Sequence, residues 1–252
     1  MLFRSKIRPN SETRLRIGNS FMQFAEFNEK GFGILGKTLD QGIVTHLTNE
    51  LLKLKPSNDK KNETIYGVRN LLNILPDINN FSHSKVVRNI AEKFLGKKAK
   101  VVRAIYFDKT SQANWKVPWH QDLTISVKEK IETNGFSVWT RKAEIQHVQP
   151  PIELLEKMLT LRFHLDDADE TNGALKVIPK SHQNGRLSAA QIKSCREANE
   201  THLCSVKKGD CLIMRPLLLH SSSAGSNPKN RRVIHLEFSA DELPNGLDWY
   251  GS

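Results

Sequence analysis

RPLLLHSSSAGSNPKNRRVIHLEF, residues 215–238, runs from an apolar stretch into a histidine, through a Ser/Gly/Asn/Pro turn, and out into a second apolar stretch. Two extended runs joined by such a turn read as antiparallel neighbours in a sheet. Working outward, the same character recurs. KVVRAIYF (100–107), LTISV (123–127), LTLRFHL (159–165), GALKVIP (173–179), HLCSV (202–206) and DCLIMR (210–215) are short, rich in β-branched and aromatic residues, and bounded by Gly, Pro, Asn and Asp. RVIHLEF (232–238) completes the set. Regular crossover helices, which a parallel sheet requires, are missing between them. Helical spacing occurs instead at 39–56, stopping at Pro56, at 84–98 with Gly96 as its stop, at 150–159, and at 187–199 behind Ser188. Helices first and many short strands after them predict a mainly β fold with flanking helices. The expectation is an antiparallel jelly roll, a cupin-like double-stranded β-helix. No repeat or linker interrupts the chain. Residues 1–252 are therefore expected to form one domain, with a helical part at about 20–98 packed on a core at about 99–240.

Composition narrows the class. Hydrophobic residues make up 38% and charged residues 26% of the 252, as in a globular protein. The three cysteines, Cys195, Cys204 and Cys211, are odd in number and lack CxxC spacing, which suits reduced thiols in a cytoplasmic protein. Neither a signal peptide nor a membrane-spanning window is visible. The net charge of +11 favours anionic partners in general, but its basic residues fall in scattered pairs such as Lys97–Lys98 and Lys207–Lys208. No nucleic-acid-binding motif accompanies them.

Three pairs have metal-ligand spacing: His120-x-Asp122, His164-x-Asp166 and His235-x-Glu237. A mononuclear non-heme iron site needs two histidines and a carboxylate on one face of the metal. A histidine distant in sequence must therefore complete any pair. If 2-oxoglutarate is the co-substrate, an arginine is also needed for its far carboxylate. His235/Glu237 is set aside because no histidine, lysine or arginine follows Glu237. His220 could serve either remaining pair, and Arg231, eleven positions on across the turn, could return beside it. HLDDADETNG leads directly into an acidic turn where Asp166 can bond its own backbone, so His120/Asp122 is favoured and His164/Asp166 stays open.

WHQDLTIS, HLDD…NGALKVIPKSH and MRPLLLHSSS…RRVIHLEF together resemble the phytanoyl-CoA dioxygenase family, in the family's order, over roughly residues 25–240. The resemblance implies an Fe(II)- and 2-oxoglutarate-dependent dioxygenase that uses O2. It implies His120, Asp122 and His220 as iron ligands, Arg231 as the 2-oxoglutarate clamp with Arg232 as its rival, and Ser222 as an assistant to that clamp. Arg162 stands where members often carry tryptophan. It is either a second cation for the co-substrate or a buried strand arginine. Because Asp122 is retained, hydroxylation is expected rather than halogenation. The expected substrate is a small molecule, anionic or zwitterionic. A nucleic-acid or other macromolecule oxygenase and a non-catalytic jelly-roll binding protein are the alternatives.

The 128–149 excursion, too long for an ordinary connection, reads as a lid or binding loop carrying Trp139, Arg141, His147 and Gln149. Trp115 and Trp119 read as packing, His182 as a structural hydrogen bond, and Asn172–Gly173 as a plain turn.

Overall fold

A computed structural model describes residues 14–17, 20–54, 67–227 and 229–251. Strands β1 (Arg14–Ile17) and β2 (Ser20–Gln23) form a hairpin. Helix α1 (Phe24–Lys30), strand β3 (Phe32–Leu35), helix α2 (Gln41–Leu51), strand β4 (Gly67–Val68) and helices α3 (Leu71–Ile74), α4 (Pro76–Ser82) and α5 (Lys85–Leu95) follow. The remainder is β5 (Lys100–Lys109), β6 (Val117–His120), β7 (Ile125–Val127), β8 (Ser137–Lys142), β9 (Ile145–Gln149), α6 (Ile152–Lys157), β10 (Leu159–His164), β11 (Leu175–Val177), α7 (Ala189–Ala198), β12 (His202–Cys204), β13 (Cys211–Met214), β14 (His220–Ser222) and β15 (Arg231–Ser239).

The strands pair antiparallel throughout. A six-stranded sheet runs β3-β13-β10-β15-β5-β4, a four-stranded sheet β12-β11-β14-β6, and a small one β7-β9-β8. The two larger sheets make a jelly roll of the cupin type, open at its edges and not a closed barrel. The period of two along each strand divides the residues between two environments. On β10 and β15, Leu159, Leu161, Phe163, Ile234, Leu236 and Phe238 face the helices and join their core. The other face carries Arg162, Arg231, His235 and Glu237 into a cavity between the sheets. A second core, with Leu212 and Met214 against Leu175 and Val177, fills the rest of that space.

All four helices expected from periodicity are present, within a few residues of their expected bounds. The Asp40 carboxylate caps α2 by accepting from the Ile43 N–H at 2.8 Å. The Pro56 stop lies outside the described residues. Ser188 and Gln191 form a capping box on α7. Within 128–149, read as a lid or binding loop, residues 137–149 fold as the β8–β9 hairpin, which lies against β7 and brings Lys142 to the cavity. Its reversal is made by Ala143 and Glu144, both at positive φ (49° and 61°), without the Asn-Gly that normally announces such a turn.

Candidate active site

Residue by residue, the site grows from a cross-strand pair. On β6 and β14, His120 lies directly opposite His220. Such partners bring their side chains into contact, and the two imidazole centroids stand 4.2 Å apart. A register shift between His220 and Ser222 marks a bulge beside them, a common device for re-aiming side chains near a site. Asp122 follows two residues after His120, held because its N–H donates to the Pro216 carbonyl at 2.9 Å. Gln121 between them is buried and spends its whole amide on positioning. Its nitrogen donates to the Gly185 and Leu217 carbonyls, and its oxygen accepts from the Leu187 N–H.

The result is a convergent donor set. Asp122 Oδ1 is 3.8 Å from His120 Nε2, and Oδ2 is 3.7 Å from His220 Nε2. Each histidine's Nδ1 bonds a backbone carbonyl, Pro118 at 2.9 Å and Leu218 at 2.8 Å. That places the proton on Nδ1 and leaves each Nε2 lone pair facing the carboxylate. Burial disfavours the charged form of Asp122, but His220, His235, His120 and Arg103 outweigh it and hold its carboxyl at about 2. Burial brings His220 down to about 4, with Asp122 opposing. Two imidazoles turned with Nε2 inward and a carboxylate between them suit a divalent metal. Among the described residues one other group is close enough to share an ion, the surface cluster His46, Glu50 and Asp77, where Lys53 already bonds Glu50.

The other two histidine–carboxylate pairs are occupied differently. Asp166 forms a fork-to-fork pair with Arg232, both contacts at 2.7 Å, and takes its N–H as well. His164 is buried with neither ring nitrogen hydrogen-bonded. His235 accepts at Nδ1 from Arg162 (2.9 Å), and its Nε2 faces Glu237 at 3.2 Å. Glu237 also accepts from Arg103 at 3.2 Å.

Arg231 and Arg232 are separated by strand alternation. Arg231 is buried in the cavity wall and donates to the Gly173 carbonyl, while Arg232 belongs to Asp166. Burial, and then Arg162 nearby, lowers Arg231 to about 9. Ser222 lies beside it, donating to Gly173 at 3.2 Å and accepting from Lys109 at 2.5 Å. Gly173 is therefore more than a turn, since its carbonyl is the acceptor shared by Arg231 and Ser222. Arg162 is also in the cavity wall, buried, with no carboxylate in contact among the described residues.

Of the hairpin residues considered, His147 is buried and accepts from Arg103, Trp139 packs on the small sheet's core, and it is Lys142 that reaches the cavity. Trp115 lines the cavity; Trp119 instead lies beneath Arg196 outside it. His182 makes the expected structural bond, with the Asn28 carbonyl at 3.1 Å. Sequence reading missed Arg103, Lys109, Gln121 and the network role of His235 and Glu237. For the last two the alternation was a usable sign: if Arg231 faces inward, so do residues 233, 235 and 237.

Comparisons with known proteins add the following. The profile of the family described as phytanoyl-CoA dioxygenase (PhyH) matches residues 27–233. Phytanoyl-CoA dioxygenase 1 of Oryza sativa subsp. japonica is 23% identical over 188 residues, which cover 69% of this chain and 56% of that protein. The chain thus spans about half the length of that curated relative. AviO1 from Streptomyces viridochromogenes Tue57 superposes with a TM-score of 0.64 at 20% identity, covering 88% of this chain and 95% of that one. EctD from S. alaskensis, solved with 2-oxoglutarate and 5-hydroxyectoine, gives 0.65 at 16% identity, covering 86% and 74%. At such identities the likeness is one of fold.

Proposed function

The chain belongs to the phytanoyl-CoA dioxygenase family, and from that premise we propose that it is an Fe(II)- and 2-oxoglutarate-dependent dioxygenase that hydroxylates an unactivated C–H of a small molecule. The observation that carries the reading is the convergence of His120, Asp122 and His220 on the cavity that Arg231 and Ser222 also face. Bound iron supplies the redox chemistry: one oxygen atom of O2 goes to 2-oxoglutarate, which leaves as succinate and CO2, and the other becomes the product hydroxyl. The protein's residues do the rest. His120, Asp122 and His220 offer one face of ligands and leave positions open. Arg231 exchanges its bond to the Gly173 carbonyl for the far carboxylate of the co-substrate, and Ser222 donates to the same group. Arg162 adds positive charge midway along the cavity. Ile105 and Phe107 line the wall where the C–H must lie.

Two wider features accord with this reading. One core joins α1–α5 to the six-stranded sheet, so we take the helical part and the jelly roll as one domain. The three cysteines are unpaired, as suits a reducing cytoplasm, and among the described residues no helix is long and apolar enough to cross a membrane.

The test is titration with ferrous ion and with 2-oxoglutarate, alongside succinate release. His120→Ala should abolish metal binding and succinate release, while His164→Ala should keep both. The opposite pattern would transfer the site to His164/Asp166, and undiminished binding in both variants would end the proposal.

A further inference from the structure

Lys109 stands behind Ser222 and Arg231, at the end of β5, where it lies directly opposite Arg231 on β15. Both side chains are buried. Among the described residues no carboxylate contacts either side chain; their partners are a hydroxyl and backbone carbonyls. The adjacent Asp108 is engaged elsewhere, accepting from the Arg231 backbone N–H, from Asn230 and from the Tyr106 hydroxyl. Two cations enclosed on neighbouring strands with only neutral acceptors are poorly solvated and repel one another. Burial, and then Arg231, accordingly lowers Lys109 to about 8. Packing alone does not call for such a residue, since methionine would fill the same space without a charge.

The contacts of Lys109 give that charge a direction. Its ammonium donates to the Ser222 hydroxyl and to the Ser223 carbonyl, each at 2.5 Å. An ammonium has three donors and no lone pair. Ser222 Oγ must therefore accept from Lys109, and its own proton has to point away from it. That proton goes to the Gly173 carbonyl at 3.2 Å, long for a hydroxyl donor, whose bonds usually end near 3.0 Å. The Arg231 guanidinium donates to the same carbonyl, and its Nε is buried without a partner. One neutral oxygen thus serves two donors, one of them charged. Ser222 and Arg231 both line the cavity, so a carboxylate entering there meets a hydroxyl already turned to donate and a guanidinium with a donor to spare.

We infer that Lys109 is a positioning residue for the co-substrate: by holding Ser222 Oγ as an acceptor it commits the Ser222 proton to the far carboxylate of 2-oxoglutarate, and it sets a second positive charge behind Arg231 for that carboxylate to offset. This rests on the oxygenase reading above. Lys109 acts through Ser222 and does not itself line the cavity.

The experiment loads the protein with Mn(II), which blocks turnover, and titrates it calorimetrically with 2-oxoglutarate and with 2-oxopentanoate, which has the same five-carbon chain but a methyl group in place of the far carboxylate. Wild type should prefer 2-oxoglutarate. Lys109→Met should weaken 2-oxoglutarate at least tenfold while 2-oxopentanoate and Mn(II) stay within twofold, a split that a merely structural role would not produce. In a Ser222→Ala background the same substitution should cost threefold or less, because the hydroxyl it acts through is already gone. Should Lys109→Met fail to fold, Lys109→Gln serves in its place and should lower the preference severalfold. An unchanged preference in the folded variant, a parallel loss of both keto acids, or a full loss that persists in the Ser222→Ala background overturns the inference. Failure of 2-oxoglutarate to bind the Mn(II)-loaded wild type would instead sink the oxygenase reading, and this inference with it.

Discussion

Arg231 and Arg232 are adjacent and chemically identical, yet strand alternation gives them unrelated work. Arg231 is enclosed in the cavity, where its guanidinium donates to the Gly173 carbonyl and its N–H to Asp108, whereas Arg232 holds Asp166 through three bonds. Substituting each with glutamine should separate the two roles. Arg231→Gln should weaken 2-oxoglutarate binding at least tenfold, about 1.4 kcal/mol or more, because a charge-assisted two-pronged contact is lost. Arg232→Gln should leave that affinity within about twofold and instead lower unfolding free energy by about 1–3 kcal/mol, since Asp166 loses a charged partner. Calorimetric titration and urea unfolding of both variants check this. A 2-oxoglutarate defect in Arg232→Gln alone would exchange the assignments.

Elements show where local sequence suffices and where it misleads. Helix α5 is legible because Val87, Ile90, Ala91 and Phe94 recur at helical spacing and are all buried against the sheet. The β8–β9 hairpin is not legible. Its strand SVWTRK is mostly exposed and polar, its pairing with β9 shifts register between Ser137 and Thr140, and Val138 has φ of 53°. No alternation survives such irregularity. The Asn172–Gly173 turn is legible as a turn, but its use is not. Gly173 has φ of +76°, and an added Cβ would lie 2.4 Å from the Ser223 carbonyl and 2.8 Å from Lys109 Nζ. Gly173→Ala should therefore cost about 1–3 kcal/mol of stability and weaken 2-oxoglutarate binding too, because the carbonyl shared by Arg231 and Ser222 is displaced. Thermal unfolding with co-substrate titration checks both effects, and a fully stable variant with unchanged affinity would contradict the close packing.

At the scale of the whole molecule, a charged cavity wall sandwiched between two cores makes the fold sensitive to acid. Burial lowers His147 to about 4, with Arg103 adding to the effect, and burial takes His164 well below the ordinary histidine range. Their folded-state affinity for protons is thus lower than in the unfolded chain, near 6.5. Between those values the unfolded state binds more protons, so stability rises with pH there and is lost as pH falls from about 6.5 toward 4. Urea unfolding of the metal-free protein across pH 4–8 should show that decline, and His164→Asn should flatten it. A profile identical to wild type would remove His164 from the account.

The sequence by itself determined the jelly roll with its helical flank, because period-two and helical periodicities are local consequences of backbone geometry. It also supplied His120, Asp122, His220, Arg231 and Ser222 as site candidates, through residue type, spacing and family resemblance. Only the tertiary structure decided which histidine meets which carboxylate, for that depends on β14 lying opposite β6 and on Asp166 finding Arg232. The same holds for the charged wall of the cavity. Arg103 and Lys142 come from β5 and from the β8–β9 hairpin, and nothing along the chain announces that packing will bring them to one cavity wall, because that depends on how distant strands meet.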